Sequence, residues 1–132
     1  MSKREEKAAA TRRQFLDAAF ECLYELGYHG TSTVAVCERA GLARGTMLHH
    51  FPNKQALVLA TLEDVLVRRV ADFQSQLAGT DPSDLGSMVK QLWSAVKGPT
   101  FGAWLELAVA SRTDPALATE FQTVMNRFDS LV

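Results

Sequence analysis

The sequence lacks the residues that mark several classes of protein. It has 132 residues and only two cysteines, Cys22 and Cys37, with no Cys-His cluster at metal-ligand spacing. It therefore predicts neither a disulfide framework nor a zinc site, and both cysteines are expected to be small core residues. No run reaches the roughly 18 apolar residues of a membrane span, and the N-terminus has no apolar stretch after its charges. A cytoplasmic protein without membrane contact is the expectation.

The signatures of an enzyme are also missing. The chain has no glycine-rich phosphate loop after a strand, no pair of carboxylates in an evident pocket, and no Ser-His-Asp or Cys-His set with supporting motifs. We therefore expect no catalytic residue, no cofactor and no metal ion.

The chain has no large excess of positive or negative charge, because its formal net charge is -1. The total hides an uneven distribution. Residues 1–54 carry 8 Lys and Arg against 6 Asp and Glu, an excess of +2, whereas residues 55–132 carry 6 against 9, an excess of -3. An excess of +2 permits nucleic-acid binding but does not indicate it without a motif.

Apolar residues make up 47% of the chain, and they recur at helical spacing. No segment alternates apolar and polar residues as a strand does, so the predicted fold class is all-α. The first helix follows a charged, Ala-rich start that is expected to fray until about Thr11, and it ends at Gly27. Its apolar stripe consists of Phe15, Ala18, Ala19, Cys22, Leu23 and Leu26.

Two short helices are predicted next. A hydroxyl among residues 31–33 caps the first, which ends at Gly41. The second covers Ala43 to His50, before Phe51-Pro52-Asn53 breaks the chain.

Longer helices follow. One runs from the cap Asn53 to about Ala78, and the next starts at Asp81-Pro82 and ends at Gly98-Pro99. The segment 101–112 is expected to be buried on most sides, and the last helix runs from Asp114-Pro115 to about Leu131. The apolar stripe predicted for the first of these helices is Leu59, Leu62, Leu66, Val70 and Phe73, with Val58 and Val65 beside it.

A short helix, a glycine turn and a second short helix are the plan of a helix-turn-helix. In that motif the second helix enters the major groove of DNA while the first braces it. The organisation alone is weak evidence, because the same geometry occurs in helical proteins that do not bind DNA.

The residues of this region make the prediction specific, because the run from Phe15 to Leu57 resembles the DNA-binding domain of the TetR family of transcriptional regulators. The matching motifs, in the family's order and spacing, are Gly27-Tyr28, Thr31-Ser32, Glu38-Arg39-Ala40-Gly41-Leu42, Arg44-Gly45-Thr46, His49-His50-Phe51-Pro52 and Lys54. The resemblance implies a three-helix DNA-binding domain over 11–56. A partial helical domain for ligand binding and dimerisation would occupy 57–132.

The resemblance also implies which residues contact operator DNA. Arg44 would bind guanine or a phosphate, His49 would read bases, and His50 would contact a phosphate. The charge of Lys54 would add to the helix dipole in holding a phosphate. The full set of DNA-binding candidates is Thr31, Ser32, Thr33, Arg44, Gly45, Thr46, His49, His50 and Lys54.

Simpler interpretations of these residues stay open. The histidines could be exposed helix residues or a pH-sensitive pair, and the two cations could be solvated charges. Three positions depart from the family pattern. Leu48 replaces a tyrosine that contacts the DNA backbone, Ala43 replaces a capping serine, and Ala35 replaces an acidic partner of a capping box.

For residues 57–132 the resemblance implies that a small-molecule effector binds and that the chain forms a homodimer. Repression is the commonest activity in the family. Family members are usually longer, and their last two helices build the dimer interface. An exposed apolar patch is therefore expected around Phe121, Val124, Met125 and Phe128. The effector candidates are Leu66, Phe73, Met88, Trp93, Phe101 and Trp104, although large apolar residues at helical spacing are more often core. The alternative function is that of a truncated regulator that acts as a protein-interaction module without DNA binding of its own.

Overall fold

The computed structural model describes residues 1–129, and that part of the chain forms seven helices and no strand. The all-α fold class is confirmed. The predicted end of the last helix near Leu131 lies outside the described residues. The helices are α1 (Lys3–Gly30), α2 (Thr33–Ala40), α3 (Arg44–His50), α4 (Lys54–Ala78), α5 (Leu85–Lys97), α6 (Pro99–Ser111) and α7 (Pro115–Asp129).

Helix α1 begins much earlier than predicted. Its first turn is capped by Ser2, whose Oγ accepts a hydrogen bond from the Glu5 backbone N–H at 3.1 Å. The expected fraying before Thr11 is wrong, because this cap and the Ala-rich sequence support regular helix from Lys3 onward. At Gly27 the backbone leaves the helical path, with φ of 76°. Leu26 lies just before this break and is 51% exposed. The prediction that it belongs to the buried stripe of α1 is therefore wrong.

The buried side chains form two clusters that share α1 and α4. The helix-turn-helix cluster consists of Phe15, Leu16, Ala18, Ala19, Cys22, Val36, Met47, Phe51 and Leu57. The second cluster consists of Leu23, Val58, Leu62, Val65, Leu66, Ala103, Leu107, Ala110, Leu117 and Val124. Neighbours in the sequence, such as Leu57 and Val58, thus face different clusters. The predicted boundary at residues 56 and 57 falls inside α4, a helix that both clusters use.

The buried faces of α4 and α6 differ from those predicted. Phe73, in the later part of α4, is 48% exposed, whereas Thr61 is buried and its hydroxyl donates to the Leu57 carbonyl at 2.8 Å. In α6, Leu105 and Val109 are exposed, so the prediction that 101–112 is buried on most sides is wrong. One side of α6, formed by Ala103, Leu107 and Ala110, supplies its buried residues.

Helix α5 starts at Leu85 and not at Asp81-Pro82. Asp84 caps it by accepting a hydrogen bond from the Ser87 N–H at 3.3 Å, while the Asp81 carboxylate accepts one from the Ser83 N–H at 2.9 Å in the preceding turn. The apolar side of α5 is exposed. Its members are Leu85, Met88, Val89, Leu92, Trp93 and Val96.

The exposed apolar patch predicted on α7 is wrong. Val124 is buried, and Phe121, Met125 and Phe128 pack partly buried against the second cluster. The prediction rests on the dimer interface that the last two helices of longer family members build. In the structure α7 turns them onto α4 and α6, and the unpaired apolar surface is on α5 instead.

A charged network joins α1 to α4. The Arg13 guanidinium donates two hydrogen bonds to the Asp64 carboxylate, one from Nη1 at 2.7 Å and one from Nη2 at 2.5 Å. Arg68 bridges the same carboxylate, at 3.1 Å, to that of Asp17, at 2.7 Å. The Asp64 side chain is only 18% exposed. The Arg13 hydrogen bonds therefore hold the pKa of the Asp64 carboxyl below its usual value, against the opposing effect of burial.

Gly41→Ala and Gly45→Ala form a matched pair that isolates backbone strain. A Cβ would meet nothing within 4 Å at either position, but Gly41 has φ of 69° whereas Gly45 is helical. We expect Gly41→Ala to lower the free energy of unfolding by about 1 kcal/mol. Gly45→Ala should raise it by about 0.5–1 kcal/mol. Urea denaturation measures both, and equal effects of the two substitutions would contradict the assigned turn.

Asp64→Asn tests the link between α1 and α4 through pH. Because the pKa of Asp64 is lowered in the folded state, its carboxylate stabilises the fold above the unfolded pKa of about 4, and this contribution disappears as pH falls through the folded value. We expect a loss of about 1 kcal/mol at pH 7 that shrinks toward pH 2. Glu63→Gln, in the exposed pair with Arg127, is the control and should change stability by less than about 0.5 kcal/mol. A loss that is the same at both pH values would contradict the charged link.

Candidate nucleic-acid interface

Helix α2 is capped by Ser32, one of the three hydroxyl residues at 31–33 that the sequence offers as caps. The Ser32 Oγ accepts a hydrogen bond from the Ala35 N–H at 3.0 Å, while Ser32 itself stays exposed and Thr33 is half-buried. Thr31 is different, because it is fully buried and its hydroxyl donates to the Gly27 carbonyl at 2.7 Å. We therefore correct its assignment. In this structure Thr31 has no surface to offer to DNA and closes the break in α1 instead.

The turn between α2 and α3 is a left-handed glycine cap. Gly41 has φ of 69° and ψ of 31°, and its N–H donates to the carbonyls of Cys37 and Glu38. The N–H of Leu42 donates to the Cys37 carbonyl at 3.2 Å, which completes the hydrogen bonding of the last turn of α2. Leu42 packs against the helix-turn-helix cluster. This turn fixes the direction in which α3 leaves α2.

A single buried side chain sets the rotation of α3. Met47 is fully buried and lies 3.8 Å, sulfur to sulfur, from Cys37. At 100° per residue, Gly45 and His49 lie about 160° around the helix from Met47, so they point away from the core. Leu48 and Thr46 lie on the two flanks, and Leu48 is 45% exposed. The outward side of α3 is thus formed by Gly45 and His49 with Leu48 and Thr46 beside them.

The two adjacent histidines have different surroundings. His49 is exposed, whereas His50 is half-buried, with its ring centroid 6.3 Å from those of both Phe15 and Phe51. His50 therefore lies at the edge between α3 and α1. This geometry suits an outward role for His49 and a flanking role for His50, the division that the resemblance implies.

Helix α3 starts without side-chain help. Its cap residue, Ala43, makes no side-chain hydrogen bond, in keeping with the missing serine. Arg44 follows and is exposed beside a shallow groove whose lining includes Cys37 and Glu38 of α2. The guanidinium is thus at the start of α3, where it can reach outward.

Lys54 is already engaged by the protein. Its Nζ donates to the Tyr28 carbonyl at 3.0 Å and lies 4.2 Å from the centroid of the Tyr28 ring. Burial lowers the pKa of Lys54, and the charge of Asp114 opposes this. The ammonium group has three donors, and at least one remains for a phosphate. Lys54 therefore ties the start of α4 to α1 whether or not it contacts DNA.

Helix α2 is tied to α1 by ion pairs. The Arg39 guanidinium binds the Glu25 carboxylate at 2.6 Å and the Glu21 carboxylate at 3.3 Å. These bonds raise the pKa of Arg39 and lower that of Glu25. All three side chains are solvent-accessible, so the pairs orient α2 more than they stabilise it.

The structure brings together only some of the effector candidates. Phe101 and Trp104 have ring centroids 5.6 Å apart, and Leu66 belongs to the same second cluster with which Trp104 packs. Phe73, Met88 and Trp93 are exposed and do not join them in a buried site.

Arg69 is a charged residue beside Phe101 and Trp104 that is absent from the predicted effector candidates. The Arg69 guanidinium lies 5.3 Å from the Phe101 ring centroid and 5.7 Å from that of Trp104, and partial burial lowers its pKa. Among the described residues it has no ion-pair partner. Its position one turn after Leu66 was the available signal, since residues three apart share a helix face.

No helix in residues 1–129 has the length and apolar content needed to cross a membrane. In the same part of the chain, no three His, Cys, Asp or Glu side chains are grouped so that they could hold a metal ion.

Comparison with known proteins agrees with this geometry. The family model for bacterial regulatory proteins of the tetR family matches residues 15–61. The HTH-type transcriptional regulator CymR of Pseudomonas putida is 33% identical over 124 residues, which cover 92% of this chain and 61% of CymR. The HTH-type transcriptional regulator Mb2936c of Mycobacterium bovis is 30% identical over 130 residues, which cover 97% of this chain and 67% of that protein.

A solved structure extends the likeness to the fold. The multidrug binding protein EbrR has a TM-score of 0.63 and 26% identity, covering 86% of this chain and 65% of EbrR. The chain spans about three fifths to two thirds of the length of these relatives. The relatives of known class are regulators and not enzymes. The helix-turn-helix geometry, the family model and the long relatives together place the chain in the TetR family of transcriptional regulators, as a member that carries the family's DNA-binding helix-turn-helix.

Proposed function

We propose that this chain is a sequence-specific regulator, more specifically a repressor, whose helix α3 reads the major groove of an operator. The observation that carries the proposal is the rotation of α3. Met47 is locked into the helix-turn-helix cluster, so Gly45 and His49 face outward on a helix narrow enough to enter the groove. A recognition helix needs this separation of a buried anchor from an exposed reading side.

The surrounding side chains fit the contacts that such a helix needs. Arg44 at the start of α3 can bind guanine through two parallel hydrogen bonds, and Thr46 can contact a phosphate or a thymine methyl group. The exposed Ser32 and the half-buried Thr33 lie at the start of α2, where backbone N–H groups favour a phosphate. His50 and Lys54 would add phosphate contacts at the edges. Leu48 offers an apolar contact where the family has a tyrosine.

We propose further that the active species is a homodimer that responds to a small molecule. Two half-sites about one helical turn apart require two recognition helices, which supports dimerisation. The likeness to EbrR, a multidrug binding protein, supports an effector. Leu66, Phe101 and Trp104 are the candidates that the fold keeps together, and Arg69 supplies a positive charge beside them. Binding to chromosomal DNA implies a cytoplasmic location.

The second candidate function is a protein-interaction module that does not bind DNA. The exposed apolar side of α5 favours it, because Trp93 is 64% exposed and patches of this kind mark interaction surfaces. This candidate predicts stable association with another protein and no DNA affinity that depends on salt.

Fluorescence anisotropy with fragments of the source genome, at two salt concentrations, separates the two functions. We expect tight, sequence-selective binding that weakens steeply with salt. The double variant Arg44→Ala, His49→Ala should bind the selected operator about 100-fold more weakly, since each base contact contributes roughly 1–3 kcal/mol.

Lys90→Ala is the matched control, because Lys90 is an exposed cation on α5, away from the helix-turn-helix. It should leave operator affinity unchanged. If the wild type and the double variant bind every fragment equally weakly, the regulator proposal fails and the interaction module takes its place.

A further inference from the structure

Arg69 places a positive charge on the apolar side of α4 without pairing it to a carboxylate. Its guanidinium lies over the rings of Phe101 and Trp104 in α6, at 5.3 and 5.7 Å from their centroids. The preceding residue, Arg68, shows the usual alternative, because it binds the Asp64 carboxylate at 3.1 Å. In the part of the chain that the structure describes, Arg69 makes no ion pair of this kind.

A carboxylate on the same helix is close in sequence, yet Arg69 does not bind it. Asp72 follows Arg69 by three residues, a spacing at which charged side chains of a helix pair, but it is exposed and forms no ion pair with Arg69. Partial burial therefore lowers the pKa of Arg69. A positive charge that is partly withdrawn from water without a counter-ion is unfavourable. An anion from outside the chain would remove this cost.

Three aromatic rings form an apolar wall beside the guanidinium. The Trp104 ring centroid is 5.6 Å from that of Phe101 and 6.2 Å from that of Phe121 in α7, and all three side chains are half-buried. The indole Nε1–H of Trp104 donates to the Met125 Sδ at 3.4 Å. A thioether is a weak acceptor, so this donor would gain by binding a carboxylate oxygen instead.

The packing of α4 loosens at Arg69, which leaves apolar surface available there. Leu66, one turn earlier, is 7% exposed and closes the second cluster. Val70 is half-buried, and Phe73, one turn after Arg69, is 48% exposed. A molecule from solvent can therefore reach the guanidinium and the rings without displacing a packed core residue.

The start of α6 adds to the positive potential at this place. Phe101 lies in the first turn of α6, which contains no acidic residue, and Gly98 caps the helix without a side-chain hydrogen bond. The positive end of the helix dipole is thus not neutralised by a neighbouring carboxylate. It acts in the same sense as the charge of Arg69 and disfavours a cationic ligand.

We propose that Arg69, Phe101, Trp104 and Phe121, together the Arg69 site, bind an organic anion that has a carboxylate group and an apolar body. The inference deepens the proposed function and rests on it, because this anion would be the effector. A guanidinium can lie against a ring through its flat face while its N–H groups, which lie in its plane, bind both oxygens of a carboxylate. The rings would cover the apolar body, so a small inorganic anion would use only half of the site.

The fluorescence of Trp104 tests the proposal without DNA. The chain has two tryptophans, so Trp93→Phe on the exposed side of α5 leaves Trp104 as the reporter. The probes are benzoate, phenylacetate and octanoate, each beside its own amide, which has nearly the same shape and no charge. We expect the carboxylates to bind about 10- to 100-fold more tightly than their amides, because a hydrogen bond to a charged group is stronger than one between neutral groups.

Substitution of Arg69 assigns this preference to one side chain. Arg69→Gln should reduce the affinity for each carboxylate to that for its amide and leave the affinity for the amide unchanged. Arg69→Lys keeps the charge but loses the planar pair of donors, so it should give an intermediate affinity. Arg112→Gln is the matched control, since it removes an exposed charge just after the other end of α6, and it should change nothing.

Two further measurements separate binding from folding and from simple charge attraction. Thermal denaturation without a probe should show Arg69→Gln at least as stable as the parent chain, because the removed charge has no carboxylate partner in residues 1–129. Acetate, which has almost no apolar body, should bind at least about 10-fold more weakly than octanoate. The comparison of each carboxylate with its amide uses the Trp93→Phe chain alone, so it decides the question even if Arg69→Gln does not fold.

The failures of the two proposals are distinguishable. If no carboxylate binds more tightly than its amide, or if a folded Arg69→Gln chain keeps the full affinity for carboxylates, this inference is overturned. The proposed function then still stands wherever the chain binds its operator. If carboxylates bind selectively through Arg69 but the chain binds no duplex at either salt concentration, the Arg69 site stands and the regulator proposal fails.

Discussion

The pairing of α1 with α4 is the constraint on which the rest of the structure depends. Both helices contribute to both buried clusters, so neither cluster forms unless the two helices lie side by side. The charged bonds from Arg13 to Asp64 set their register, because two parallel hydrogen bonds tolerate little sliding. Lys54 closes the same contact at the other end through the Tyr28 carbonyl. The paired α1 and α4 thereby hold α2 and α3 in a fixed position.

Helix α4 also connects the two chemically distinct parts of the molecule. Its first residue, Lys54, touches the end of α1 beside the helix-turn-helix, and Arg69, about four turns later, stacks on Phe101 and Trp104. Any shift of α4 against α6 that moved Arg69 would also pull on the Asp64 carboxylate and hence on α1. One continuous helix and the ion pairs along it therefore connect the aromatic pair of α6 to the helix-turn-helix.

Features decided by neighbouring residues could be predicted from the sequence, and features decided by distant packing could not. The glycine turn at Gly41 and the cap at Asn53 depend on a few adjacent atoms, and both form as predicted. The predicted start of α5 is wrong because Asp81 and Asp84 are equally able to cap a helix by their residue type. In the structure Asp84 is the cap. The prediction for the start of α1 is wrong because it leaves out the local cap at Ser2.

The candidate site shows the same division. Periodicity cannot say that Thr31 points inward while Ser32 points outward, because both hydroxyls suit a helix start. It also cannot say which apolar face of α5 remains uncovered, since that depends on what packs against it. The pairing of Arg69 with two aromatic rings of α6 joins residues far apart in the sequence, and no local pattern marks it.

The position of Gly45 is free of the packing that fixes α3. It lies on the outward side of α3, and a Cβ placed there meets nothing within 4 Å. A side chain could therefore be added at this position without any movement of the protein, whereas Met47, two residues on, is fully buried and tolerates only apolar residues of similar volume. Within the seven residues of α3, the buried residue that holds the helix is thus separate from the residues on its outward side. The outward surface of α3 can therefore change at Gly45 at almost no cost in stability, while the packing that holds the helix stays the same.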